Sequence, residues 1–505
     1  MCGIFGIINQ EFSRKKAEKA LDLMEHRGPN NTSYYSDNNI FLGHKRLSII
    51  DLDKRSNQPL IKENLIIIFN GEIYNYKELI SEHRLSVDTK SDTEVIIEMY
   101  KKHNHDCVKY LNGMFSFIIL NTDNSHIFVA RDRLGIKPLY YKKNKDSWIF
   151  SSEIAPIMEL SESPYDEFGI RQYKKLRMTL KGHTIYKNIK MFPAAHYLKN
   201  NKFHRYWDID PKIKIPPSDD EVKYLIEDSV RLRKRSDVLL GSYLSGGLDS
   251  TILTSILKPT HTWTVGFDQL NEFYWSELAN KSFNTKHHKT IVDVDEFIET
   301  GKWMIRKRKE PLSVPNEILI YLMSKNVKKE NTVVLSGEGA DELFWGYDRI
   351  FKWANLATEL KIEEFDEKYC YGTHKDDEVI DFALENIKGD SVLEKVSYFF
   401  QIYHLHGLLR RLDNSTMLNS VEGRVPFCDH RLVEILASAP FEWRMGSSFK
   451  DPLKRLFSNE IPDKIIERKK VGFPVPLEDV FPSSKDGSDS PMDRWLDFNL
   501  NILKL

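Results

Sequence analysis

Two places in this 505-residue chain combine residue types and spacing that could do chemistry: a cysteine at position two, and the run SGGLDS at Ser245–Ser250. Removal of Met1, which the small second residue permits, leaves Cys2 with a free α-amino group. An α-amine of pKa about 7.7–8.0 is a usable general base near neutrality. Nucleophile and base would then share one residue, the thiol counterpart of an N-terminal threonine. Taken alone, a cysteine here reads more readily as the first buried residue of a strand. SGGLDS follows an apolar run and precedes TILTSIL. A glycine-rich turn opening a helix offers backbone N–H groups and a favourable dipole to phosphate. It is not a Walker loop, because no GK[ST] follows. Two hydroxyls and two glycines suit an anion, and Asp249 suits the accompanying Mg²⁺. A plain strand-to-helix turn is the competing reading.

The elements that must position these groups fall into two styles of text. The first ~200 residues alternate β-rich runs (GIFGII, NLIIIFNGEIYNY, MFSFIILNTDNSHIFVARD, SWIFSSE) with Gly, Asn and Asp turns. Two helical stretches interrupt them, KKAEKALDLMEHR and SDTEVIIEMYKKH, the second opening on a cap signal. This predicts an α+β domain of packed sheets. DIDPKIKIPPSDDEV, with three prolines, reads as a linker. Strand–loop–helix text follows, predicting a parallel sheet with helices on both faces, then largely helical text from ~350 to ~460. The expected division is 1–200, a linker at 201–220, a second domain at 221–480 and a loosely held polar tail at 481–505.

Composition narrows the functions. A formal charge of −1 and pI near 7.0 lack the basic surplus that nucleic-acid binding needs. No run approaches the ~18 apolar residues of a membrane span, and MCGIFGIINQ lacks the build of a signal peptide. Four scattered cysteines (Cys2, Cys107, Cys370, Cys428) show neither zinc spacing nor disulfide density. A cytoplasmic protein binding neither nucleic acid nor membrane is the expectation.

The first half resembles the N-terminal-cysteine (class II) glutamine amidotransferases. The strings that carry the resemblance are CGIFG, HRGP at His26–Pro29, HKRLSIID at His44–Asp51, FNGEIYNY at Phe69–Tyr76, SDTE at Ser91–Glu94, RDRLGIKPLYY at Arg131–Tyr141 and SSE at Ser151–Glu153. They imply an αββα sandwich of the Ntn-hydrolase type with Cys2 as nucleophile. Arg46 and Asp92 would hold the carboxylate and ammonium of glutamine. Asn70 and the Gly71 N–H would form the oxyanion hole, and Leu47, Ser48, Ile49, Ile50 and Glu72 would complete the glutamine site. The family usually continues HRGP with Asp and, shortly after, Gly; Asn30 and Ser33 stand there instead. Asn lacks the charge, and Ser adopts positive φ less freely than Gly.

The second half is similar to the adenylating PP-loop enzymes, and in order to the glutamine-hydrolysing asparagine synthetases. TVGF at Thr264–Phe267, LSGEGADE at Leu335–Glu342, RLDNSTM, SVEGRVPF at Ser420–Phe427 and RKKVGFPVP at Arg468–Pro476 carry the match. The resemblance implies ATP bound by Leu244, Ser245, Gly246, Gly247, Asp249, Ser250, Val265, Ser336 and Gly337. It further implies Mg²⁺ on Asp249 and Asp341, Glu338 at the reacting carboxyl, and Lys450 stabilising phosphoryl charge, with Lys454 as the alternative register. The implied reaction activates aspartate as an acyl-adenylate and amidates it with ammonia from glutamine; a homodimer is the expected assembly. Three rivals are a relative amidating another carboxylate, such as a sugar acid or peptide side chain, a β-lactam-synthetase-like cyclase, and a non-catalytic regulatory homologue, which would usually have lost nucleophile or loop residues. The cyclases lack a working N-terminal cysteine and carry Tyr where this chain has Glu338.

Overall fold

The computed structural model describes residues 2–446, 448–469, 475–484 and 488–505. The N-terminal half contains β1 (Gly3–Ile8), β2 (Asn31–Ser36), β3 (Phe41–Arg46), β4 (Leu60–Lys62), β5 (Leu65–Ile73), β6 (Gly113–Asn121), β7 (Ile127–Arg131), β8 (Tyr140–Asn144), β9 (Ser147–Ser151), β10 (Lys190–Met191), β11 (His196–Lys199) and β12 (Lys202–Arg205). They form two six-stranded sheets, ordered β10-β8-β9-β1-β3-β2 and β12-β11-β7-β6-β5-β4. Helices α1 (Arg14–Asp22), α2 (Asp92–His103) and α3 (Ile154–Leu160) cover the outer faces.

Side-chain alternation explains the stacking. In β1, Ile4 and Ile8 join Ile66, Ile68, Ile118 and Leu120 of the other sheet between the layers. Phe5 and Ile7 turn the other way, onto Ala17, Ala20 and Leu21 of α1 and Ile154 and Ile157 of α3. Behind the second sheet, Ile67 and Phe69 pack on Val95, Ile96 and Met99 of α2. Strands buried on both faces need no polar alternation, which is why GIFGII and LIIIF are uninterrupted. The result is the expected αββα sandwich.

The C-terminal half is built on five parallel strands, β13 (Leu240–Tyr243), β14 (His261–Phe267), β15 (Lys286–Val292), β16 (Val333–Leu335) and β17 (Glu422–Arg424), ordered β15-β14-β13-β16-β17. The chain runs outward from β13 to β15 and returns on the other side at β16. The crevice beyond the carboxyl ends of β13 and β16 is therefore a topological switch point, where open α/β sheets bind ligands. The loops leading into α4 (Leu248–Leu257) and α5 (Ala340–Leu343) occupy it. Four further helices matter below: α6 (Leu405–Met417), α7 (Phe441–Met445), α8 (Asp451–Leu456) and α9 (Pro491–Ile502).

Two boundaries differ from the sequence expectation. Residues 202–205, read as the start of a linker, pair with β11 as β12, so the first sandwich runs past 200. Further on, the Ile213 N–H is held by Glu394 and the Lys214 N–H by the Ser438 carbonyl. The stretch read as a loose tail carries α9, started by a Ser490–Asp493 capping box. Trp495 is wholly buried and Leu496 and Leu500 nearly so, and Asn499 Oδ1 accepts the Leu312 N–H at 2.8 Å. Polar text around 482–490 masked that short apolar face. Trp495→Ala should cost about 3–5 kcal/mol, the usual penalty for truncating a buried large aromatic. It should appear as a lower denaturant midpoint; an unchanged midpoint would show that α9 is not part of the core.

Candidate active site

Cys2 stands at the mouth of β1, beside β5. Its N–H donates to Asn70 Oδ1 at 3.1 Å, and burial pushes its thiol pKa up, so deprotonation needs a base. Asn70 Nδ2 is buried with no hydrogen-bond partner among the described residues, a donor left for an incoming oxygen. At Gly71 a Cβ would lie 2.1 Å from the Met114 carbonyl oxygen, so only glycine lets β5 and β6 close there.

Cys2, Arg46, Leu47, Ile49, Ile50, Gly71, Glu72 and Asp92 line one small cavity, with Ser56, Gln58, Phe69, Ser91 and Thr93. Its volume is about 30 Å³, room for about one water. Ser48 is not on the lining; its N–H donates to Asn30 Oδ1 at 2.9 Å. The Arg46 guanidinium is held by the carbonyls of Asp51 and Asp53 and by Asn57 Oδ1 at 2.7 Å. Asp92 Oδ2 accepts the Ile73 N–H at 2.8 Å. Burial, with Glu422 adding to it, pushes the Asp92 pKa up to about 7. Glu72 is raised well above the carboxylate range by burial, Glu422 and Asp92.

The departures after HRGP are accommodated. Asn30 uses its amide oxygen on Ser48, as above. Ser33 lies in extended β2, needs no positive φ, and donates to the Gln58 carbonyl at 2.6 Å.

The second site gathers where β13 and β16 end. Ser245 Oγ receives the Gly247 N–H at 3.2 Å and meets Ser250 Oγ at 3.1 Å, a pre-folded turn with Gly246 at φ +73°. A Cβ on Gly246 would lie 2.2 Å from the Trp275 backbone. Asp249 and Asp341 converge on Lys450 Nζ at 2.6 and 2.5 Å. Burial opposes the Lys450 charge, but the two carboxylates overcome it and raise its pKa. Lys450 itself holds φ +55°, a conformation an L-residue keeps only when its surroundings enforce it. Lys454 donates instead to Ser448 Oγ at 2.9 Å, which puts Lys450, not Lys454, between the aspartates.

Ser245, Gly247, Asp249, Glu338, Asp341 and Lys450 line a cavity of about 300 Å³. Gly337 abuts Asp249, the distance from a Cβ there being 3.1 Å. Leu244 and Val265 do not reach the wall: both are buried, Leu244 against Ala279 and Ile465 and Val265 in the core behind β14. Ser336 is also set back, its N–H on the Arg424 carbonyl at 2.9 Å. Of RKKVGFPVP, residues 470–474 lie outside the described residues. Asp249 and Asp341 supply the oxygen donors a hard cation wants, and no group of three metal-ligating side chains occurs among the described residues. That fits a cation held by one or two carboxylates and completed by substrate phosphates.

A family model described as asparagine synthase matches residues 221–486, more than half of the chain. This chain belongs to that family. A second model, a glutamine amidotransferase domain, matches residues 1–207. Asparagine synthetase [glutamine-hydrolyzing] 3 of Bacillus subtilis is 30% identical over 94% of this chain and 87% of its own length. A putative asparagine synthetase [glutamine-hydrolyzing] 2 of Methanocaldococcus jannaschii is 34% identical over 69% of this chain and 76% of its own. Asparagine synthetase B [glutamine-hydrolyzing] of Escherichia coli is 30% identical over 72% and 67%.

Several residues of this asparagine synthase chain escaped the sequence reading. Arg411, within the quoted RLDNSTM, donates to Glu338 Oε1 at 2.8 Å and to Asn316 Oδ1 at 3.2 Å; a lone Arg in helical text gave no signal. Arg468 pins the glycine loop through the Gly246 carbonyl at 2.9 Å and pairs with Glu272. Arg27, in HRGP, donates to the Cys2 carbonyl at 3.0 Å and to Asp413 at 2.9 Å.

Asp92 generates a measurable pH effect. Its pKa is raised on folding from 3.8 to about 7, so the folded state binds the extra proton between those values. Its stabilising contribution is complete below about pH 4 and lost as pH rises through about 7. Asp92→Asn, which cannot ionise, should melt at a temperature that gains on the wild type between pH 5 and 8. Parallel curves would exclude the shift.

Proposed function

We propose that this protein makes asparagine from aspartate, using glutamine as nitrogen donor and ATP as the activating substrate. The observation that carries the proposal is that both reaction centres have their working groups in one chain. Cys2 faces Asn70, Arg46 and Asp92, and Asp249, Asp341 and Lys450 share a second cavity with Glu338.

In the first centre, the Cys2 thiol gives its proton to its own α-amine once Met1 is gone, and the sulfur attacks the side-chain amide carbon of glutamine. Asn70 Nδ2 and the Gly71 N–H receive the oxyanion, Arg46 takes the substrate carboxylate, and Asp92 in its charged form takes the ammonium. Ammonia leaves, and water releases glutamate from the thioester. In the second centre, Ser245, Gly246, Gly247 and Ser250 cradle the phosphates at the N-terminus of α4. An aspartate oxygen displaces pyrophosphate, Lys450 balancing the charge that builds on the phosphoryl group. Mg²⁺ on Asp249 and Asp341 would neutralise phosphate charge. Ammonia then displaces AMP from the acyl-adenylate. It must travel inside the protein, because ammonium formed in water is not nucleophilic.

Glu338 and a complete Cys2 site both stand against the cyclase reading. A larger carboxylate acceptor has one observation in its favour: a cavity of about 670 Å³ adjoins the second site and shares Asn316, Tyr347 and Arg411 with it, more room than aspartate requires. A division into residues 1–207 and 221–486, after the two family matches, the homodimer and the cytoplasmic setting are proposed on family grounds; no helix among the described residues is long and apolar enough to cross a membrane.

Purified enzyme given aspartate, glutamine and ATP should form asparagine, AMP and pyrophosphate. Glutamine hydrolysis without asparagine would overturn the acceptor assignment. Cys2→Ala should remove glutamine use while leaving ammonia-dependent synthesis within about two-fold, since the centres are separate. Loss of both activities in a folded variant would contradict that separation.

A further inference from the structure

Arg444 on α7 is wholly buried, and among the described residues it has no carboxylate partner. Its Nη1 donates to the Leu343 carbonyl at 3.2 Å, while Nε and Nη2 find no hydrogen bond among the described residues. Burial pushes its pKa down to about 9. An unpaired buried guanidinium costs several kcal/mol, so something must hold it there.

What holds it is Trp345. The guanidinium carbon lies 4.2 Å from the Trp345 ring centroid, and cation–π attraction is strongest for a desolvated cation over tryptophan. Phe351 stacks on the same indole at 5.1 Å, and Phe441 of α7 flanks it at 5.7 Å. Trp345 pays a second cost: it is 1% exposed and held at φ +51°, a genuine outlier for so bulky a residue.

Both costs sit directly behind the charged triad. Trp345 is followed by Gly346, whose N–H returns to the Asp341 carbonyl at 2.8 Å. A Cβ on Gly346 would fall 1.8 Å from Asp341 Oδ1 and 2.5 Å from Lys450 Cε. The Trp345–Gly346 backbone is thus wedged against both members of the pair. Arg444 ties together the two segments that carry them: it bonds to the last residue of α5, which bears Asp341, and it lies on α7, which packs against α8, where Lys450 is the N-cap.

We infer that Arg444, acting through the Trp345 ring, is a positioning residue for the adenylating centre, setting the approach of Lys450 to Asp341. It touches no reacting atom. Its removal lets the Trp345 turn relax and the triad separate, while the glutaminase half, far along the chain, is untouched. The inference rests on the adenylation reading above.

Aspartate-dependent ATP–pyrophosphate exchange tests it, with glutamine hydrolysis on the same sample as the internal control for folding. If the wild type shows no exchange with aspartate, the adenylation reading fails, independently of any variant. Given exchange, Arg444→Met should lower its kcat more than ten-fold, with glutamine hydrolysis within two-fold and the ATP KM changed less than kcat. Arg444→Lys, which keeps a cation over the ring, should restore at least a third of the rate. Trp345→Leu should reproduce the loss, and the double variant should be no worse than either single. Exchange within two-fold of wild type in Arg444→Met, equal loss of both activities, no rescue by Lys, or additive losses in the double variant would each overturn it.

Discussion

Arg27 is buried completely, and every direction of its guanidinium is committed. Nε supports the Cys2 carbonyl at 3.0 Å, Nη1 meets Glu153 at 3.2 Å, and Nη2 meets Asp413 at 2.9 Å. Asp413 belongs to α6 of the second half, and its other oxygen takes Lys137 at 3.1 Å. Charges out of water are tolerable only when each is paired, so neither half can form this junction alone. Burial pushes Glu153 and Asp413 up, yet the cations beside them hold both below their ordinary values, Glu153 at about 2. The strand that follows Cys2 is thereby fixed to the helix whose Arg411 reaches Glu338. A product as small as ammonia can be handed between centres only if their relative position does not drift, and an all-or-none buried ionic junction supplies that rigidity better than a sliding apolar contact would.

The second centre uses the opposite economy. Around Lys450 the backbone is held in unfavourable conformations at two non-glycine residues, and the Arg444 guanidinium is buried with no carboxylate partner among the described residues. Left-handed residues persist only where surrounding packing over-determines them. Here packing comes from stacked rings and from α7 and α8, which surround the Lys450–Asp249–Asp341 triangle. Preorganised charge of this kind avoids reorganisation at the moment of reaction.

Much of this was legible in the sequence, and the rest was hidden for identifiable reasons. Apolar runs and glycine turns gave the sandwich and the parallel sheet because both-face burial removes polar residues from strands such as LIIIF. SGGLDS stood out because two glycines and two hydroxyls lead into a helix, although a plain strand-to-helix turn would read the same way. The partners of each motif were not. Arg27, Arg411 and Arg444 look alike in text, yet one braces the strand that follows Cys2, one pairs with Glu338 and one stacks on Trp345; their distinction is made by contacts between residues far apart in the chain. α9 was missed because a polar stretch preceded it, although Trp495, Leu496 and Leu500 are buried and Met492, Phe498 and Ile502 pack beside them. Leu244 and Val265 show the converse limit: motif position placed them at the nucleotide, whereas the side chains turn into the core.

The glutamine centre, finally, carries an electrostatic imbalance that its substrate can relieve. Glu72, Asp92 and Glu422 crowd one side, and burial together with mutual repulsion raises the first two. Arg424 lies 3.7 Å from Glu72, too far for a hydrogen bond, and is engaged by Glu422 and by the carbonyls of Arg233 and Arg235. Arg46 donates to the carbonyls of Asp51 and Asp53 and to Asn57 Oδ1. In the proposed glutamine site an amino acid would bring an ammonium for the acids and a carboxylate for the Arg46 guanidinium. A neutral amide lacking those charged ends would have to open the same 30 Å³ cavity with no such compensation. On the proposed roles of these residues, selectivity for a free amino acid would follow from the burial of the acids and the arginine.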